Sequence, residues 1–211
     1  MYLGHYILLA TICLALSCSL QSCQQTNDEL PYLGQTIPTE DGVKHHTVGQ
    51  FKHVNQDSQW VDNQKMSQYI YVADFFFTSC PSICPKVTRE MLKIHDALQL
   101  DTMVKLVSFT IDPKRDDIHR LKLYADNLGV NQKKWWFLTG DKDATLELAN
   151  SFFVAALEDP DAPGGFDHSG KIVLVDREGH VRSFSEGTDP TTTPGLIKDI
   201  QKLSASYQSK N

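Results

Sequence analysis

The feature that most constrains the fold of this 211-residue chain is the run from Tyr69 to Phe77, which is almost wholly apolar, aromatic or β-branched and stops on Thr78-Ser79-Cys80-Pro81-Ser82-Ile83-Cys84-Pro85. A run of that composition predicts a strand covered on both faces, the pattern of a parallel or mixed sheet. After Pro85, Val87, Met91, Ile94 and Leu98 recur at helical spacing. A residue before proline avoids the helical region, so the helix is expected to start at Pro85 with Cys84 just outside it. The two cysteines therefore sit on the turn between a buried strand and a helix amino end.

Strand and helix patterns alternate onwards. Val104 to Ile111 predicts a second strand, Ile118, Leu121, Tyr124 and Leu128 a helix face, and Trp135 to Leu138 a third buried strand. Asp141 opens a helix to about Phe153, and residues 158–165 read as a loop from their Asp, Pro and Gly content. Ile172 to Val175 and His180 to Ser183 flank Arg177-Glu178-Gly179 as a hairpin, and Thr193-Pro194 begins a last helix. Upstream, Val48 to Val61 looks like a hairpin around Asn55-Gln56-Asp57-Ser58. The order predicts an α/β domain, a mixed sheet flanked by helices with an amino-terminal hairpin. A cysteine pair between strand and helix makes it thioredoxin-like.

Residues 1–22 contain no Lys, Arg, Asp or Glu, and their apolar part is shorter than the roughly 20 residues of a spanning helix, so a signal peptide is expected. Ser17-Cys18 and Ser22-Cys23 both resemble lipoprotein cleavage sites. Cys23 is favoured, with Leu20 three residues before it and a polar run after it; Cys18 is the alternative. The expected organisation is a leader at 1–22, a flexible tether at 23–45 rich in Pro and Gly, a folded domain at 46–206 and a tail at 207–211. Such a chain is exported and held to a membrane by a lipid, facing the periplasm or the cell exterior. Its net charge of −6 and lack of a basic cluster exclude nucleic acid as a partner.

With Cys13, Cys18 and Cys23 in the leader, Cys80 and Cys84 are left as a solitary close pair, which is a redox couple, a metal clamp or a small structural bridge. Helix amino ends favour anions, so both thiols are expected to be acidic. That alone does not choose between disulfide chemistry and metal binding. The spacing differs from Cys-x-x-Cys of redox thioredoxins, since Pro81-Ser82-Ile83 separates the sulfurs and a wider turn presents both to one ion. Two thiolates suit Cu(I), and an added imidazole, for which His168 beside the Gly/Pro loop is the candidate, extends the site to Cu(II).

Three separated segments carry a resemblance. Phe75 to Pro85, Ser108 to Asp116 and Asp167-His168-Ser169 look like successive signatures of the Sco (SenC) family, and the likeness runs from about His46 to Ser206. That resemblance implies a thioredoxin-like fold, copper held by Cys80, Cys84 and His168, and help in building the binuclear copper site of cytochrome c oxidase subunit II. Asp112 matches the family's Asp-Pro motif, either near the metal or as a turn residue ending a strand. The competing reading is an enzyme, a thiol–disulfide reductase in which Cys80 attacks and Cys84 resolves. A thiol peroxidase is disfavoured because Thr78-Ser79-Cys80 lacks the Thr and Pro spacing of that chemistry. His45, His46, His53, His95, His119 and His180 offer no ligand pattern, and Trp135-Trp136 reads as core.

Overall fold

The computed structural model describes residues 29–208. The leader, with Cys13, Cys18 and Cys23, lies outside the described residues. A seven-stranded mixed sheet is built from β3 (Lys52–Asn55), β4 (Trp60–Asp62), β5 (Ile70–Phe76), β6 (Val104–Thr110), β7 (Trp135–Thr139), β10 (Lys171–Val175) and β11 (Val181–Glu186). Their spatial order is β11-β10-β5-β6-β7-β3-β4. Every residue of β5 is buried, as its unbroken apolar run requires. It pairs in parallel with β6 from Ile70↔Val104 to Phe76↔Thr110, and antiparallel with β10.

Helix α1 (Asn63–Met66) is a single turn, followed by α2 (Cys84–Ala97), α3 (Ile118–Leu128), α4 (Lys142–Ser151) and α5 (Thr193–Gln208). The stripe Val87, Met91 and Ile94 of α2 is buried, as are Leu196, Ile200 and Leu203 of α5. Asp117 and Asp141 cap α3 and α4 by accepting the amides of Arg120 and Ala144 at 2.7 and 2.9 Å. Gly129, in the left-handed region at φ 66°, ends α3.

Three local expectations are corrected. Helix α2 starts one residue earlier than proline logic suggests: the Ile83 carbonyl accepts from the amides of Lys86 and Val87 at 2.8 and 3.1 Å, and Cys84 is the first helical residue. Pro85 fits because a first-turn amide has no intrahelical partner to lose. The loop at 158–165 is the tip of a ribbon, β8 (Ala156–Glu158) paired with β9 (Phe166–His168), so His168 ends a short strand of its own before β10.

The third lies in the stretch read as a tether. There β1 (Thr36–Thr39) pairs with β2 (Gly42–His45), and residues before them are held to the domain. Arg182 is buried against Asp176 at 2.9 Å, and its Nη2 and Nε donate to the carbonyls of Leu30 and Pro31. A buried guanidinium needs acceptors, and this backbone supplies two of them.

Candidate metal centre

Where β5 ends, the chain turns through Thr78 and Ser79, the amide of Cys80 donating to the Phe77 carbonyl at 3.2 Å. Asp116 holds this turn from the next loop. Its carboxylate accepts the Thr78 amide at 2.9 Å, the Thr78 hydroxyl at 2.5 Å and the Thr110 hydroxyl at 2.6 Å. Arg115 adds a second tie, donating to Ser79 Oγ at 3.1 Å and to the Gly164 carbonyl at 3.3 Å. The cysteine turn is thus fastened both to the β6–α3 loop and to the ribbon that carries His168.

The structure brings the three expected ligands together. The Sγ atoms of Cys80 and Cys84 and a ring nitrogen of His168 all lie within 4.8 Å of one another, and all three residues are buried. Cys84 Sγ is 3.3 Å from His168 Nε2, and Cys80 Sγ is 3.6 Å from the Ser82 hydroxyl. Both cysteines are free thiols. The ring of Phe77 meets that of His168 edge-on at 5.8 Å and that of Phe166 at 5.3 Å, closing the pocket on its apolar side.

Electrostatics separate the two thiols. Burial pushes Cys80 up, but hydrogen bonds from the Cys84 side chain and from the backbone of Cys84 and Ser82 outweigh it, leaving Cys80 below the ordinary thiol value. Burial raises Cys84 far above that value, helped by the hydrogen bond it gives Cys80 and by the charges of Cys80 and Asp74. Burial lowers His168, opposed only in part by the Ser169 backbone and Asp167, so its imidazole is neutral at pH 7, the form that ligates. Two thiolates and one imidazole in a pocket walled by aromatic rings are a donor set for a soft ion. His168 Nδ1 is buried without a hydrogen-bond partner. The ring is positioned by the Cys84 contact at Nε2 and by packing on Phe77.

Asp112 is buried, its carbonyl accepts the amides of Arg115 and Asp116 in a turn, and its carboxylate faces Arg115 Nε at 3.1 Å. It reaches the cysteine turn through Arg115 and does not join the three clustered ligand atoms. Two further residues matter here that sequence reasoning passed over. Asp116 had one signal, an acid four residues after Asp112 in a strand-ending turn. Asp74 had a stronger one, a carboxylate inside an otherwise apolar strand; it is buried and accepts from Ser108, which in turn accepts Trp135 Nε1 at 2.8 Å.

Three other histidines are engaged elsewhere. His45 stacks on Tyr32 with centroids 4.0 Å apart, and His46 Nε2 meets the Ser151 carbonyl at 2.7 Å. His95 is buried between Asp96 and the Asn131 amide.

A model of the SCO1/SenC family matches residues 39–205. The SCO1 protein homolog of Bacillus subtilis (strain 168) is 30% identical over 161 residues, covering 75% of this chain and 83% of its own. The crystal structure of a SCO1/SenC family lipoprotein from Bacillus anthracis str. Ames is similar at a TM-score of 0.68 and 25% identity, over 75% of this chain and 95% of that one. The structure of BsSco, a member of the Sco family of cytochrome c oxidase assembly proteins in which a disulfide switch has been identified, gives 0.66 and 30%, over 76% and 94%. These likenesses bear out the thioredoxin-like α/β fold expected from the sequence.

Proposed function

The chain belongs to the SCO1/SenC family, and from that premise we propose that it is a copper carrier that loads an exported cuproprotein, the binuclear site of cytochrome c oxidase subunit II being the recipient the family favours. The observation that carries this reading is the convergence of Cys80, Cys84 and His168 from two distant segments onto one ion-sized space. Copper is cargo here. As it enters, the two thiols give up their protons, and the neutral imidazole completes the set. The ion leaves by stepwise exchange onto thiolates of the recipient, which a buried but surface-near pair permits.

The unit that carries copper is the domain expected at 46–206 together with the segment from Leu30 onwards that is held to it, and the residues before that segment link it to a lipid on Cys23, Cys18 being the alternative. That arrangement places the protein on the outer side of a membrane, and a lipoprotein among similar structures supports it. No helix among the described residues is long and apolar enough to cross a membrane.

The split between the two thiols favours a second reading, thiol–disulfide reduction. Cys80, lowered, is the attacking thiolate, and Cys84, raised and deeper, resolves the mixed disulfide. The two readings share a requirement, since copper enters only a reduced pair. Metal analysis of reduced protein separates them: wild type retains one Cu(I), Cys80→Ser and Cys84→Ser lose it, and His168→Ala retains it far more weakly while still reducing a model disulfide. Unchanged copper retention in His168→Ala would overturn delivery as the primary role.

A further inference from the structure

The chain carries more acid than base, 26 Asp and Glu against 20 Lys and Arg, yet the α2 side of the groove beside the cysteine pair carries exposed cations. A groove of about 310 Å³ leads from Cys80 and Cys84 along α2 and α3, walled by Phe77, Leu92, Tyr124 and Leu128. Lys86, Arg89 and Lys93 stand exposed on α2 at positions i, i+3 and i+7, one stripe beside that groove. Lys93 is taken by Glu90 at 2.8 Å, and the buried Glu90 also accepts the Thr193 hydroxyl at 2.7 Å. Lys86 and Arg89 make no ion pair among the described residues. Beyond Thr78, which lines the groove, the Arg120 side chain donates to the Thr78 hydroxyl at 3.1 Å, and among the described residues it too has no carboxylate in ion-pair contact.

The acids of the β6–α3 loop are already engaged, and Asp159, Asp161 and Asp167 lie on the His168 ribbon, on the other side of the cysteine turn. Asp117 caps α3, Asp116 accepts three donors beneath the cysteine turn, and Asp112 faces Arg115. A second recess of about 400 Å³ lies on the other side of Arg89, bordered by Lys86, Lys93 and Thr188, so the stripe stands proud between two hollows. An apolar trough that ends on two reactive sulfurs and is edged by unpaired cations is complementary to one kind of segment.

We infer that this groove docks a cysteine-bearing segment of the recipient protein that is rich in Asp and Glu, with Lys86, Arg89 and Arg120 receiving its carboxylates. The inference rests on the delivery reading and deepens it by naming the partner surface. Unpaired charges at an interface rim act chiefly on encounter and partner choice, so the effect belongs in the rate and its salt dependence.

The test uses the reduced full-length protein and two oxidised dithiol peptides of equal length and cysteine spacing, one flanked by Asp and Glu, the other by Lys. Cys80 thiolate attacks a peptide sulfur and expels the other peptide thiolate. Cys84 then displaces the first sulfur, leaving a peptide dithiol and a protein disulfide. The acidic peptide is expected to react about tenfold faster or more at low salt, the gap closing as salt screens the charges. K86E/R89E is expected to reverse that order while melting temperature and Cu(I) retention stay as in wild type.

Peptides with Ser for Cys, followed by titration, carry the same comparison if exchange is slow. Equal behaviour of the two peptides in both assays, or a preference untouched by K86E/R89E, overturns the inference. So does loss of association with phosphatidylglycerol vesicles in K86E/R89E without any change in peptide preference, which assigns the cations to a lipid surface. Exchange and titration need no copper, so failure of copper retention sinks the delivery reading alone.

Discussion

Asp74 shows how one side chain can shape the pH response of the molecule. It is buried in the central strand, and burial raises its pKa to about 7 against the opposing hydrogen bond from Ser108. The folded value lies above the unfolded one, so folding favours the protonated form. The stabilisation is complete below about pH 4 and is lost as pH rises towards 7, a change of a few kcal/mol at most. Denaturant unfolding between pH 4 and 8 should show this decline in wild type and a flatter profile in Asp74→Asn; parallel profiles would remove Asp74 as its source. At the same scale, the candidate ligands Cys80 and Cys84 were legible because their turn joins two strongly patterned elements. His168 was legible only through the motif around it, since a lone histidine beside a loop has no distinguishing pattern.

Between elements, the site depends on loops held to one another. Asp116 links the cysteine turn to the end of β6, and Asp116→Ala strands the Thr78 amide and two hydroxyls. A loss of about 2–4 kcal/mol is expected, from several unsatisfied buried donors, with weaker copper retention because the turn loosens. Thermal melts and metal analysis read both, and an unchanged melting temperature would exclude this role. Gly164 sits at φ +86°, where a Cβ would lie 2.6 Å from the Phe77 ring. Gly164→Ala is therefore strained twice over, and its expected cost is about 1–3 kcal/mol. Because Phe77 packs on His168, copper retention should fall with stability in that variant, and a retained ion with a lowered melting temperature would uncouple the two. The ribbon bearing Gly164 escaped sequence reading because its strands, Ala156–Glu158 and Phe166–His168, are too short to show alternation beside a Pro- and Gly-rich tip.

For the whole molecule, copper should act as any ligand of the native state does. At a thousandfold excess over its dissociation constant it adds about 4 kcal/mol, so the reduced protein should melt on the order of 10 °C higher with Cu(I). A melting temperature indifferent to Cu(I) would favour the reductase. Topology also sets the ends of the domain apart. The cysteines follow the carboxyl end of β5, whereas Leu33 donates to the Val181 carbonyl and Val175 pairs with Tyr71, near the amino end of β5. Seven residues of strand put those ends roughly 20 Å apart, so the amino-terminal segment joins the domain away from the metal centre. The sequence by itself determined the alternating elements, the mixed α/β class and the position of the cysteine turn, because burial periodicity and proline act over neighbouring residues. Only the tertiary structure decided that Leu30 and Pro31 are held by Arg182, that Asp116 and Arg115 fasten the turn, and that His168 reaches Cys84. Those contacts join residues dozens of positions apart, and no local pattern records which buried donor will meet which acceptor.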